Sequence, residues 1–219
     1  NMGRETFVVP VGWERDMHPK KGKILWHVVA PKTGRIERIN PVIFDGGTPA
    51  KNRAFRDDFK HSTLNLAWNF VRVPLPNTYS LDENPGHLRL FTHKNTISRR
   101  KRAHFMGIKQ TESDFIFTTK MRFNPSHDES TAGIAIVQKD ENYVSFSVRK
   151  EADGMLVEVL HNKKKVQTIK AHKLNSYKGE IRFKLVSAND TYTFSYATKG
   201  KRYKVLTTTP ADLVLFSGF

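Results

Sequence analysis

Apolar and polar residues alternate with a period of two along most of the chain beyond Phe55, which is the pattern of strands with one buried and one solvated face. Phe115, Phe117, Thr119, Met121 and Phe123 share one face. Val144, Phe146 and Val148 make the next such set, followed by Met155, Val157 and Val159, then Ile181, Phe183 and Leu185, then Tyr192, Phe194 and Tyr196. Turn-forming residues separate these runs at short, regular intervals: Asn124-Pro125, Lys139 to Asn142, Ala152-Asp153-Gly154, Asn162 to Lys164, Ala188-Asn189-Asp190 and Lys199-Gly200. Half-buried strands in that rhythm predict an all-β domain, an antiparallel sandwich of two packed sheets. Only Ser62 to Leu66 offers a single helical turn. Phe70, Phe91, Phe105, Phe117, Phe123, Phe146, Phe183, Phe194 and Trp68 are expected in the core rather than on a sugar-stacking platform.

The first fifty residues read differently. Trp13 and Trp26 stand among glycines at 22, 34, 46 and 47 and prolines at 10, 19, 31, 41 and 49. This mixture predicts short strands, one over Thr6 to Val11, followed by a connector at Asp45-Gly46-Gly47-Thr48-Pro49. The expected division is residues 1–50 and 51–219.

Composition narrows the function classes. A hydrophobic fraction of 38% in 219 residues supports a real core. The absence of cysteine removes disulfides, thiolate metal sites and a cysteine nucleophile, and leaves the compartment, cytoplasmic or secreted, open. No apolar run approaches the roughly 20 residues of a membrane span, so no membrane partner is expected. The net charge of +16 draws polyanions. Its clusters, Lys20 to Lys23, Arg99 to Arg102, Lys163 to Lys165 and Lys199 to Lys204, fall mostly at turns, where lysine is ordinarily just solvated.

Candidate chemistry is sparse. The acidic pairs Asp57-Asp58, Asp82-Glu83, Asp128-Glu129 and Asp140-Glu141 are adjacent in sequence, and neighbours on a strand point to opposite faces, so none can flank one bond. Asp57 and Asp58 are candidates for a structural cation such as calcium; no other cofactor is expected. The nine histidines show no metal-ligand spacing, and His104 is expected to hydrogen-bond inside the sandwich. Neither a Gly-x-Ser-x-Gly elbow nor a phosphate-binding glycine loop is present. No catalytic residue is assigned.

Two stretches carry a family resemblance. Gly3-Arg4-Glu5-Thr6-Phe7-Val8-Val9-Pro10-Val11-Gly12-Trp13 resembles the segment that closes the catalytic propeller of family-43 glycoside hydrolases. Asp57-Asp58-Phe59 with Leu64, Leu66 and Trp68-Asn69-Phe70, then Tyr79-Ser80-Leu81, Pro85-Gly86-His87-Leu88-Arg89-Leu90, Arg99-Arg100, His104-Phe105, Phe117 to Phe123, Ala132-Gly133-Ile134 and Asn142 to Arg149 resemble, in order, the strands of the accessory domain that follows it.

The resemblance implies an antiparallel jelly-roll β-sandwich of concanavalin-A-like shape, preceded by the last strands of a β-propeller. That propeller hydrolyses xylosides or arabinofuranosides by inversion, with one carboxylate activating water and another donating the proton. Its acids belong to motifs upstream of this segment. The implied partners are the catalytic propeller and a xylo- or arabino-oligosaccharide. The series stops at Phe219, where the resembled domain has further strands, so the sequence is read as a piece of a longer chain with a truncated sandwich. Phe216-Ser217-Gly218 is similar to a Phe-Thr-Gly loop that places a phenylalanine at the rim of the substrate pocket, and Arg99 and Arg100 are candidates for the interface between the domains. Two alternatives stay open: a non-catalytic carbohydrate-binding sandwich, and a basic polyanion-binding domain. Nucleic acid is the less favoured polyanion, and a second copy of the chain is a further candidate partner.

Overall fold

The computed structural model describes residues 9–18, 22–37, 54–98, 102–163 and 165–215. The chain divides into two compact units between Phe55 and Arg56.

The first unit contains one antiparallel hairpin, β1 (Val11–His18) and β2 (Gly22–Val29). Half of the predicted strand Thr6 to Val11, residues 6–8, lies outside the described residues; Val9 and Pro10 are not in a strand, and β1 begins at Val11. The cross-strand register pairs Trp13 with His27 and Glu14 with Trp26, so the two indoles sit on opposite faces of the ribbon. Both are exposed, Trp13 at 66% and Trp26 at 54%, with Val11, Leu25 and Val29 exposed beside them.

The second unit opens with four two-residue strands, β3 (Asn69–Phe70), β4 (Tyr79–Ser80), β5 (Arg89–Leu90) and β6 (Met106–Gly107). β3 pairs with β6 and β4 with β5. Phe70 stacks on Tyr79 at 5.6 Å and so links the two small ladders. Ser62 to Leu66, the predicted helical turn, forms bends and turns instead.

Eight longer strands follow: β7 (Phe115–Arg122), β8 (Thr131–Lys139), β9 (Asn142–Glu151), β10 (Gly154–Lys163), β11 (Lys165–Leu174), β12 (Glu180–Ala188), β13 (Thr191–Ala197) and β14 (Lys204–Pro210). They form two four-stranded sheets, ordered β11-β10-β9-β8 and β14-β13-β12-β7, with antiparallel neighbours throughout. A helical turn, α1 (Asp212–Leu215), follows β14. The alternation of Leu213 and Leu215 suits a strand as well as a helix; the local backbone is helical.

The core lies between these sheets. Val144, Phe146, Val148, Val157 and Val159 face Ile181, Phe183, Leu185, Tyr192, Phe194 and Tyr196 across it, all essentially buried. The Phe146 ring meets Phe183 edge-to-face at 4.7 Å and Phe194 at 5.5 Å, an arrangement that aligns the positive ring edge with the negative ring face.

Turn chemistry sets the registers. At the β12–β13 turn Asn189 and Asp190 both take positive φ, the left-handed pair that a two-residue hairpin requires. Three outer strands carry bulges, and in β8 the extra residue is Gln138, opposite the step from Asn142 to Tyr143. Opposite the step from Val159 to Leu160, β11 has one extra residue, Ile169; opposite the step from Phe194 to Ser195, β14 has Leu206. In β11 and β14 the extra residue is packed against the core.

Candidate functional site

Asp57 does not stand free to bind a cation. Its Oδ1 accepts the backbone N–H of Phe59 at 2.9 Å and its Oδ2 accepts the indole N–H of Trp68 at 2.8 Å. Trp68 also stacks on Phe59 at 5.8 Å, so this acid, indole and phenyl ring fix the loop that leads into β3. Asp58 points elsewhere, to Lys60 at 3.2 Å, and that ammonium group holds its carboxyl below the usual range. Among the described residues no group of three or more histidine, aspartate or glutamate side chains is placed to hold a metal ion.

Arg99, Arg100 and Phe216 lie outside the described residues. The flanks of the arginine pair are defined. His104 Nδ1 lies 2.5 Å from the Phe91 carbonyl oxygen, so that nitrogen carries the proton and donates. Its ring stacks on His93 at 4.8 Å. Asn95 gives its N–H to His93 Nδ1 and its side-chain amide to the Arg102 carbonyl, at 3.1 Å each. His104 makes a part-buried hydrogen bond between two loop residues rather than one inside the sandwich core.

The densest cluster of charge is one that sequence reasoning missed. Arg149 on β9 reaches Glu158 on the neighbouring strand β10, with Nε at 3.1 Å from Oε1 and Nη2 at 3.5 Å from Oε2. The same guanidinium meets Glu129 at 3.0 Å and Glu151 at 3.1 Å. Glu158 is only 3% exposed, so hydrolytic acid–base work is closed to it. The hydrogen bond from Arg149, with the field of the three carboxylates, raises the guanidinium pKa. Removing one partner of such a buried pair costs about 3–5 kcal/mol, because the other charge is left uncompensated. The signal in the sequence was a glutamate among the apolar residues of a strand, at 158 between Val157 and Val159.

Further along the same sheet, His161 Nε2 lies 3.0 Å from Asn142 Oδ1, and the Asn142 amide donates to Gln138 Oε1 at 2.7 Å. The chain of donors places the proton on Nε2. Burial, with Lys163 beside it, lowers the pKa of this imidazole.

Comparison with known proteins places this geometry. A model of the β-xylosidase C-terminal concanavalin A-like domain matches residues 56–214. The non-reducing end α-L-arabinofuranosidase BoGH43B of Bacteroides ovatus is 29% identical over 196 residues, 89% of this chain and 35% of that protein. A β-xylosidase of Bacillus subtilis is 29% identical over 164 residues, 72% of this chain and 28% of that protein. The solved Bacteroides ovatus xyloglucan-locus GH43B superposes with a TM-score of 0.79 at 26% identity, covering 97% of this chain and 40% of that one. The chain thus spans about a third of the length of the relatives it matches. It belongs to the family of concanavalin A-like domains found at the C-terminus of family-43 β-xylosidases.

Proposed function

We propose that this chain is the C-terminal region of a glycosidase that hydrolyses xylan- or arabinan-derived oligosaccharides with inversion. Residues 1–50 complete the catalytic β-propeller, and residues 51–219 form the accessory sandwich that steadies it. The observation that carries this reading is the hairpin β1–β2, which shows indoles on both faces, in a chain whose family match spans 56–214. A ribbon apolar on both sides needs cover on both sides, as a strand pair packed into a propeller has. In this reading the water-activating and proton-donating carboxylates, held roughly 6.5 to 9.5 Å apart, come from the propeller. Phe216 narrows the pocket rim and keeps bulk water out, and Arg99 and Arg100 reach carboxylates across the domain boundary.

The test compares hydrolysis of nitrophenyl β-xyloside and α-L-arabinofuranoside by the 219-residue chain with hydrolysis by a protein joining it to a family-43 propeller. The chain alone is expected to turn over neither substrate. The joined protein is expected to turn over at least one, and Phe216→Ala there to raise KM for a disaccharide more than it lowers kcat. Turnover by the isolated chain would overturn the assignment.

A further inference from the structure

The outward face of the sheet β14-β13-β12-β7 carries a charge arrangement that the fold itself does not need. Its cross-strand rows are fixed by the register. Arg122 lies opposite Glu180; Lys120 opposite Arg182; Thr118, Lys184, Ser195 and Val205 form the next row; Ile116, Val186, Thr193 and Thr208 the one after. These side chains alternate with Met121, Ile181, Phe183 and Phe194, which pack on the core, so they point away from it, with Ser195 the buried member of the rows. Lys120 and Arg182 are like charges on directly opposed residues, a pairing that costs stability.

Compensation within the face is incomplete. One carboxylate, Glu180, lies 2.7 Å from Lys120 and 3.9 Å from Arg122. The Lys184 ammonium group sits over the Tyr203 ring at 5.8 Å. Four cations therefore face one carboxylate on a single sheet surface. Beside them the Thr193 and Thr208 hydroxyls stand 3.1 Å apart, with Thr118 exposed on the same face.

We infer that this face binds an acidic polysaccharide, one whose uronate carboxylates pair with Lys120, Arg182 and Lys184 while its ring hydroxyls exchange hydrogen bonds with the threonine rows. Charge complementarity selects an anion, and an arginine can hold a carboxylate by two parallel charge-assisted hydrogen bonds. The make-up of the face selects among anions. Duplex nucleic acid is read by an element that enters a groove, and single strands need aromatic platforms. This face offers neither, because Tyr203 is already covered by Lys184. The choice of a glycan rests on the glycosidase reading above; the anionic binding does not.

The test is affinity electrophoresis of the 219-residue chain through native gels cast with polygalacturonate, neutral arabinoxylan or no polymer. Polygalacturonate is expected to retard the chain, less so as salt is raised, and arabinoxylan to leave it unretarded. The variant K120Q/R182Q/K184Q is expected to weaken the interaction about tenfold. A control of equal charge change at turn lysines, K163Q/K165Q/K199Q, is expected to stay within about twofold of the parent. Should the triple variant melt early, R182Q alone is expected to give a smaller loss in the same direction. Absence of retardation, equal loss in triple variant and control, or tighter binding to duplex DNA than to polygalacturonate would overturn the inference. Hydrolysis of neutral nitrophenyl glycosides by the propeller-joined protein reports on the glycosidase reading separately, since its outcome does not depend on these three residues.

Discussion

His161 is an ionisable group whose burial is used for structure. Its imidazole is nearly inaccessible, donates to Asn142, and has a pKa held below its ordinary value of 6.5 by burial, with Lys163 adding to the effect. In the window between the folded value and 6.5 the unfolded chain binds the proton and the folded chain does not, so stability falls as pH falls through it. The melting temperature is therefore expected to drop between pH 7 and pH 5 by more in the parent than in His161→Gln, and thermal melts monitored by circular dichroism measure the difference. An equal drop in both would place the acid sensitivity elsewhere. Tyr177 shows the opposite polarity: it donates to the Phe123 carbonyl at 2.6 Å, and burial pushes its pKa up to about 12.

At the scale of strands, the close approach of β8 to β9 depends on a glycine. A Cβ at Gly133 would overlap the carbonyl oxygen of Phe146 and the Cα of Ser147, and both are backbone atoms that cannot swing aside. Gly133→Ala is accordingly expected to destabilise the sandwich by about 1–3 kcal/mol or more, as overpacking does, read from the midpoint of urea unfolding. A midpoint within error of the parent would show that the two strands can separate there without cost.

The strands that sequence reasoning identified and those it missed differ in one physical respect. β7 and β12 alternate strictly in burial, and β9, β10 and β13 keep their apolar core residues two apart, so these five strands could be read directly. β11 and β14 went unread. Their bulges insert Ile169 and Leu206 out of phase, and their other positions are largely solvated. Between residues 54 and 107 the strands were legible only through the family resemblance at Trp68 to Phe70, Tyr79 to Leu81 and Pro85 to Leu90, since two-residue strands have no period to detect. Asp57 drew notice as an acid beside an acid; its service to Trp68, eleven residues away, has no local signature. Glu158 had such a signature, a charge in an apolar strand, and its partner Arg149 became evident only once β9 and β10 were paired.

Across the whole molecule, local stability is expected to be uneven. A two-stranded hairpin has little stability by itself in water, and β1–β2 leaves its indoles exposed, whereas β9 and β12 are buried on the core side along their length. Hydrogen exchange followed by mass spectrometry should show fast exchange over 11–29 and the slowest over 142–151 and 180–188. Comparable protection in the hairpin would mean that this unit is covered even without further chain.

Phe146 meets two rings of the opposing sheet, each nearly perpendicular to its own. A single side chain thus works like a dowel through both leaves of the sandwich: withdrawing either leaf leaves an unfilled hole in the other. Intermediates with one leaf formed and the other loose are penalised on both sides, which favours a sandwich that comes apart in one step.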